Sequence, residues 1–340
     1  PFDGLGLLAG TAVSYSGTAV TGTVTKADFP TSATATTYHW RARIKGADGG
    51  VSGWMAFGSN TETATDLTTL IWTTINTNTT WNTNQTFTNT NLVITNNATV
   101  TVDSINRAGG AGQITVTVNN GHLLVDPGAT ISANAKGFPS RQGPGPGQFI
   151  PHWHTSASSG AGYGGQGGSA SGTGGFASGG GVYGSLTQPT HLGSGGGDSG
   201  SSGGGALKLV VLGTLTLNGT ISANSGSAVS GNGSGGSLWV TTGTFTGTGT
   251  LSANGGAGVS FGARGGGGGG RIALYYTTKT YAGALQAFGG SGNHAGGAGT
   301  IFQKTNSAID GDVVIDNNGL SGATTNQTAA ATWTIPNLTI

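Results

Sequence analysis

The chain has 340 residues, yet only 12 are Lys or Arg and 11 are Asp or Glu, so its formal charge at neutral pH is +1. So small and scattered a charge gives no footprint for nucleic acid or for insertion at an anionic membrane, and no stretch reaches the roughly 18 consecutive apolar residues of a membrane span. Cysteine is absent, which removes disulfide frameworks, thiol catalysis and the usual structural zinc sites. Charged residues are 7% of the chain, against about 25% in an ordinary globular protein. With 70 glycines and abundant Thr, Ser, Asn and Ala, the expected surface is hydroxyl, amide and bare backbone.

Residues 1–68 carry most of the early charge. Within them, Tyr38-His39-Trp40-Arg41-Ala42-Arg43-Ile44 and Gly53-Trp54-Met55-Ala56-Phe57 resemble the last two strands of a fibronectin type III-like domain. The resemblance implies a β-sandwich, of which a complete copy needs about 100 residues. Residues 1–68 are therefore expected to form a partial sandwich, with the missing strands supplied by an upstream segment or another subunit. The start at Pro1 and the strand-like end at Asn337-Leu338-Thr339-Ile340 predict a processed product or a segment of a longer polypeptide.

Residues 69–136 are a Thr/Asn/Val tract. Leu92-Val93-Ile94, Val100-Thr101-Val102, Ile114-Thr115-Val116-Thr117-Val118 and Leu123-Leu124-Val125 alternate with Asn-Asn and Asn-Gly corners. Alternation with a period of two, bounded by Asn and Gly, predicts short strands. An internal recurrence follows. Ile131-Ser132-Ala133-Asn134 returns as Ile221-Ser222-Ala223-Asn224, as Leu251-Ser252-Ala253-Asn254, and more weakly as Leu285-Gln286-Ala287-Phe288, at spacings of 90, 30 and 34 residues. Between the copies lie Ala206-Leu207-Lys208-Leu209-Val210-Val211, which reads as a strand ending at Gly213, then Ser237-Leu238-Trp239-Val240, Arg271-Ile272-Ala273-Leu274 and Thr300-Ile301-Phe302. A unit of this size cannot bury its own apolar face, whereas equivalent strands of successive units pair in parallel about 4.8 Å apart. The predicted fold is all-β: a parallel β-helix or solenoid over 69–340, with Asn corners that take left-handed geometry and bond to the next coil.

Residues 137–204 enlarge the first spacing. They are glycine-rich and predict an ordered, polyglycine-like mat of extended strands packed beside the solenoid, joined by the six-residue run Gly265 to Gly270. The block from Val182-Tyr183-Gly184 through Leu192-Gly193-Ser194-Gly195-Gly196-Gly197, Gly270-Arg271-Ile272-Ala273-Leu274 and Gly311-Asp312-Val313-Val314-Ile315-Asp316-Asn317-Asn318-Gly319 resembles glycine-rich repeat regions of very large bacterial and archaeal surface proteins. That resemblance implies an extracellular, cell-surface location and an adhesin-like or structural role.

Few residues suggest chemistry. His152 and His154 share a face if 152–154 is extended, and two imidazoles can begin a Zn or Cu site that His191 would complete. Asp310, Asp312 and Asp316 share a face if 310–316 is a strand, which is the arrangement a Ca²⁺ site or the paired acids of a polysaccharide lyase or hydrolase would use. Trp153, Tyr163, Phe176 and Tyr183 are candidate sugar-stacking rings. The preferred readings are plainer: a packed loop tip for the histidines, a solvated strand face for the acids, and anchoring of the glycine mat for half or more of the rings. The sequence predicts a non-enzymatic surface filament or fibre subunit that self-associates into a homopolymer, or forms tandem segments of one long chain. The alternatives are an adhesin that binds a surface polysaccharide or cell, and a polysaccharide-cleaving enzyme.

Overall fold

The computed structural model describes residues 70–103, 112–226, 232–258, 263–325 and 335–340, together with the backbone of four two-residue strands nearer the N-terminus. The chain divides into two units, Pro1–Trp72 and Thr73–Ile340. In the first, Thr37–Tyr38 pairs antiparallel with Leu67–Thr68, and Arg41–Ala42 with Met55–Ala56. Most of the fibronectin-like segment lies outside the described residues.

The second unit is all-β among the described residues, and most of its pairing is parallel. Gln113–Asn119, Ala206–Leu217, Ser237–Thr246, Arg271–Lys279 and Thr300–Thr305 follow one another in parallel register, so that Ile114, Leu207, Leu238, Ile272 and Ile301 stand side by side. A six-stranded sheet runs through Thr79–Trp81, Thr99–Val102, Thr130–Ser132, Thr220–Ser222, Thr250–Ser252 and Ala284–Gln286. Here Val100, Ile131, Ile221, Leu251 and Leu285 are aligned. A third column, Leu92, Leu123, Leu215 and Phe245, belongs to the larger sheet. Strand alternation aims these side chains inward, where they form one continuous apolar core. Each fully buried Leu, Ile or Val contributes about 1.5–3 kcal/mol.

Two sequence expectations change in detail. The strand from Ala206 does not end at Gly213 but runs to Leu217, with a break in register between Val211 and Thr214 that leaves Leu212 exposed. A β-carbon at Gly213 would overlap the Gly121 carbonyl, so glycine there lets the bent strand approach its neighbour. The Ser-Ala-Asn corners also bond differently. Left-handed φ occurs at Asn89 and Asn120, whose side chains bond to each other at 2.6 Å, but not at Asn134, Asn224 or Asn254. The latter three form a ladder through their side-chain oxygens. Asn134 Oδ1 accepts the Asn224 N–H at 2.7 Å, Asn224 Oδ1 that of Asn254 at 2.6 Å, and Asn254 Oδ1 that of Phe288 at 2.8 Å.

The glycine-rich segments are excursions from one corner. Gly205, Gly236, Gly270 and Gly299 donate to the carbonyls of Ala133, Ala223, Ala253 and Ala287, at 2.6–2.8 Å. Between each alanine and its closing glycine the chain leaves the sheets and returns. Residues 137–204 are the longest such excursion, and the four assemble into one layer.

Candidate functional site: the glycine layer and its outer edge

Glycine builds the layer through close approach. Along 265–270 the N–H groups donate in turn to Ser158, His294, Gly256, Ala161, Gly297 and Ala253, at 2.7–2.9 Å. Residues three apart thus bond the same neighbouring segment, a period of three that matches an extended polyproline II-type backbone. A β-carbon on any of the six would lie well inside van der Waals contact of a carbonyl oxygen from one of three further segments, 165–168, 287–290 and 233–236. Six segments therefore surround the run. None of its residues takes a left-handed φ, so the requirement for glycine is room.

The layer is joined to the strands by a buried cation. Arg271, 1% exposed, follows the glycine run as the first residue of its strand. Its Nε donates to the Tyr183 carbonyl at 3.0 Å, its Nη1 to Thr300 Oγ1 at 3.0 Å, and its guanidinium lies 5.5 Å from the centre of the Tyr163 ring. Tyr163 is fully buried, with its hydroxyl 2.6 Å from Ser237 Oγ, which donates to the His191 carbonyl at 2.6 Å. The Tyr183 hydroxyl donates to the Leu192 carbonyl at 2.7 Å, and His191 meets the Tyr183 ring edge-on. Burial raises the pKa of both tyrosines, Arg271 opposing it; burial lowers that of Arg271, the two phenols opposing it. An ion pair, Arg264 to Asp198 at 2.5 Å, ties residues 197–200 to the start of the glycine run.

These contacts sort the candidate residues. Of the four rings read as sugar contacts, Tyr163 is buried and Tyr183 has its hydroxyl and ring engaged, because both anchor the layer. Trp153 and Phe176 are 82% and 56% exposed. His152, Trp153 and His154 form a tip. His152 Nδ1 accepts the His154 N–H at 3.2 Å and contacts Thr173 Oγ1 at 3.2 Å, while the Trp153 and His154 rings lie 3.4 Å apart. His191 is placed in the Tyr163–Tyr183 cluster. Asp312 lies in the strand Asp312–Val314, but Asp310 and Asp316 fall outside it, so the single strand face expected for the three does not form. Asp312 Oδ1 accepts from Asn337, Asp316 Oδ1 accepts the Asn318 N–H, and Asp310 borders a hollow of about 350 Å³ with Lys304 and Tyr275. No group of three or more His, Asp or Glu positioned to hold a metal ion occurs among the described residues.

A larger open hollow, about 650 Å³, lies at the outer edge of the layer. The hairpin of Ala170–Gly172 and Gly175–Ala177 presents Phe176 to it, and the excursion turn at 291–295 presents Asn293 and His294. Leu320 and Ser321 form the third wall. Of these residues Phe176 alone stands out in the sequence, since the other walls come from residues more than 100 positions later.

No family model, curated protein or solved structure matches this chain.

Proposed function

We propose that the chain is an extracellular structural protein, a subunit of a surface filament or fibre. In this reading its stacked parallel strands are successive coils of a β-solenoid, and the layer is a polyglycine-type plate grown from one corner of those coils. The closing bond repeated from Gly205 to Ala133, Gly236 to Ala223, Gly270 to Ala253 and Gly299 to Ala287 carries the reading. It starts and closes these four glycine excursions at equivalent positions, as a body built by stacking equivalent turns requires. The low charge and the resemblance to surface-protein repeats support an extracellular site. The buried Arg271 and tyrosines are then joints between plate and coils.

Self-association would use the sheet edge. Leu338–Thr339 is an outermost strand, and Leu338 and Ile340 beside it are 51% and 90% exposed. An edge strand with apolar flanks can add a strand from a second copy. Electron microscopy of native material, combined with the mass of the denatured chain, tests the proposal. Regular filaments that dissolve into chains of a single mass are expected. Dispersed monomers that stay soluble would overturn it.

A further inference from the structure

We propose that the hollow between the 170–177 hairpin, the 291–295 turn and the 320–323 segment binds an uncharged saccharide. Its volume, about 650 Å³, is in the range of small-molecule sites. No Asp, Glu, Lys or Arg lines it. It therefore offers neutral hydrogen-bonding groups and one exposed aromatic ring, a chemistry matched to hydroxyls and the C–H face of a sugar ring.

The walls are held from behind. Asn293 Oδ1 accepts the Ser171 N–H at 3.0 Å, and the Asn293 N–H donates to the Arg264 carbonyl at 2.6 Å. The amide nitrogen of Asn293 keeps its two donors for a ligand. His294 Nδ1 lies 3.1 Å from the Ser169 carbonyl. A carbonyl only accepts, so Nδ1 is the donor of this contact, and Nε2 is an acceptor whenever the ring carries a single proton. Leu320 is fixed by Asn317, whose Nδ2 donates to the Leu320 carbonyl at 2.9 Å, and the Ala323 N–H donates to the Ala295 carbonyl at 3.0 Å, closing the third wall onto the second. Phe176, 56% exposed, and Ser321, also exposed, complete the set. The Asn293 and His294 side chains are thus fixed beside the Phe176 ring and the Ser321 hydroxyl around one space, which lowers part of the ordering cost of binding.

The test titrates the full chain with maltotriose, cellotriose and chitotriose by calorimetry, with a glucuronate-containing trisaccharide as charged control. At least one neutral trisaccharide should bind, and bind more tightly than the charged one. Phe176→Ala should weaken binding at least tenfold without changing the melting temperature. Asn293→Asp, which keeps the acceptor for Ser171 and removes the amide donors, should do the same. Trp153→Ala, an exposed ring outside the hollow, should leave affinity unchanged. Absence of binding by all three neutral sugars, or binding that survives both Phe176→Ala and Asn293→Asp, overturns the site. Filament formation is read separately by microscopy, so failure of the site and failure of the structural proposal remain distinct.

Discussion

Leu209 and Gly267 are both buried, one in the strand stack and the other in the glycine layer. Around Leu209 the backbone of each strand bonds to neighbours on two sides, and the space beyond is filled by side chains that exclude water. Around Gly267 there is no such space. Its N–H bonds to the Gly256 carbonyl, its carbonyl accepts the Gly290 N–H, and the Gly233 carbonyl lies where a side chain would begin. The stack depends on apolar volume, whereas the layer depends on backbone bonds in three directions and on the absence of volume. One chain thus contains two interiors with opposite tolerances: the first is damaged by removing carbon, the second by adding it.

Alkaline pH should give the largest effect, because it attacks the joint between the two interiors. Burial raises the pKa of Tyr163 and Tyr183 at that joint, and pushes Tyr281, which stacks on Phe245 in the strand core, up to about 12 from 10.0. The unfolded chain loses these protons near pH 10 while the folded chain retains them. The stabilisation is therefore complete below pH 10 and should decline as pH rises towards 12, which denaturant midpoints measured at successive pH values will show. A midpoint that is flat between pH 9 and 12 would contradict the burial of these phenols.

Removing volume from the stack comes next. Leu215→Ala empties a fully buried position between Leu123 and Phe245 and should cost about 2–5 kcal/mol in equilibrium unfolding. Adding volume to the layer is the complementary test. Gly267→Ala places a methyl group onto the Gly233 carbonyl and should cost about 1–3 kcal/mol. Gly181→Ala, at an exposed glycine with nothing within 4 Å of the new carbon, should stay within about 0.5 kcal/mol. Equal effects of the two glycine substitutions would refute the close-packed layer. The smallest change is expected in the asparagine ladder. Asn224→Ala removes the acceptor for the Asn254 N–H and should cost about 1 kcal/mol, seen as a modest fall in melting temperature.

Much of the strand stack was legible in the sequence. Alternation at Leu92–Ile94, Ile114–Val118 and Leu123–Val125 marked strands, because a period of two is a local property of a half-buried backbone. The spacing of Ile131, Ile221, Leu251 and Leu285 anticipated which residues stand beside one another. The continuation of the strand past Gly213 was not legible, since glycine there reads as a stop and only the neighbouring Gly121 carbonyl explains it as a close approach. For the candidate site, the exposed Phe176 was legible as a ring in a polar segment. Asn293, His294 and Ser321 were not, because nothing in their local sequence ties them to residue 176.

By itself, then, the sequence determined the all-β character, the low charge, the positions of the strongly alternating strands and the need for close backbone approach in the glycine-rich segments. Each follows from composition or from short-range periodicity. Tertiary structure alone decided which segments meet in the layer, that Tyr163 is buried beside Arg271, and that Asp310, Asp312 and Asp316 do not share one strand face. The physical reason is that glycine has no side chain with which to mark a partner. Any N–H can bond any carbonyl, so the pairing of Gly265–Gly270 with segments 158–161, 253–256 and 294–297 is fixed only when the closing bonds at the alanine corners bring all four excursions together.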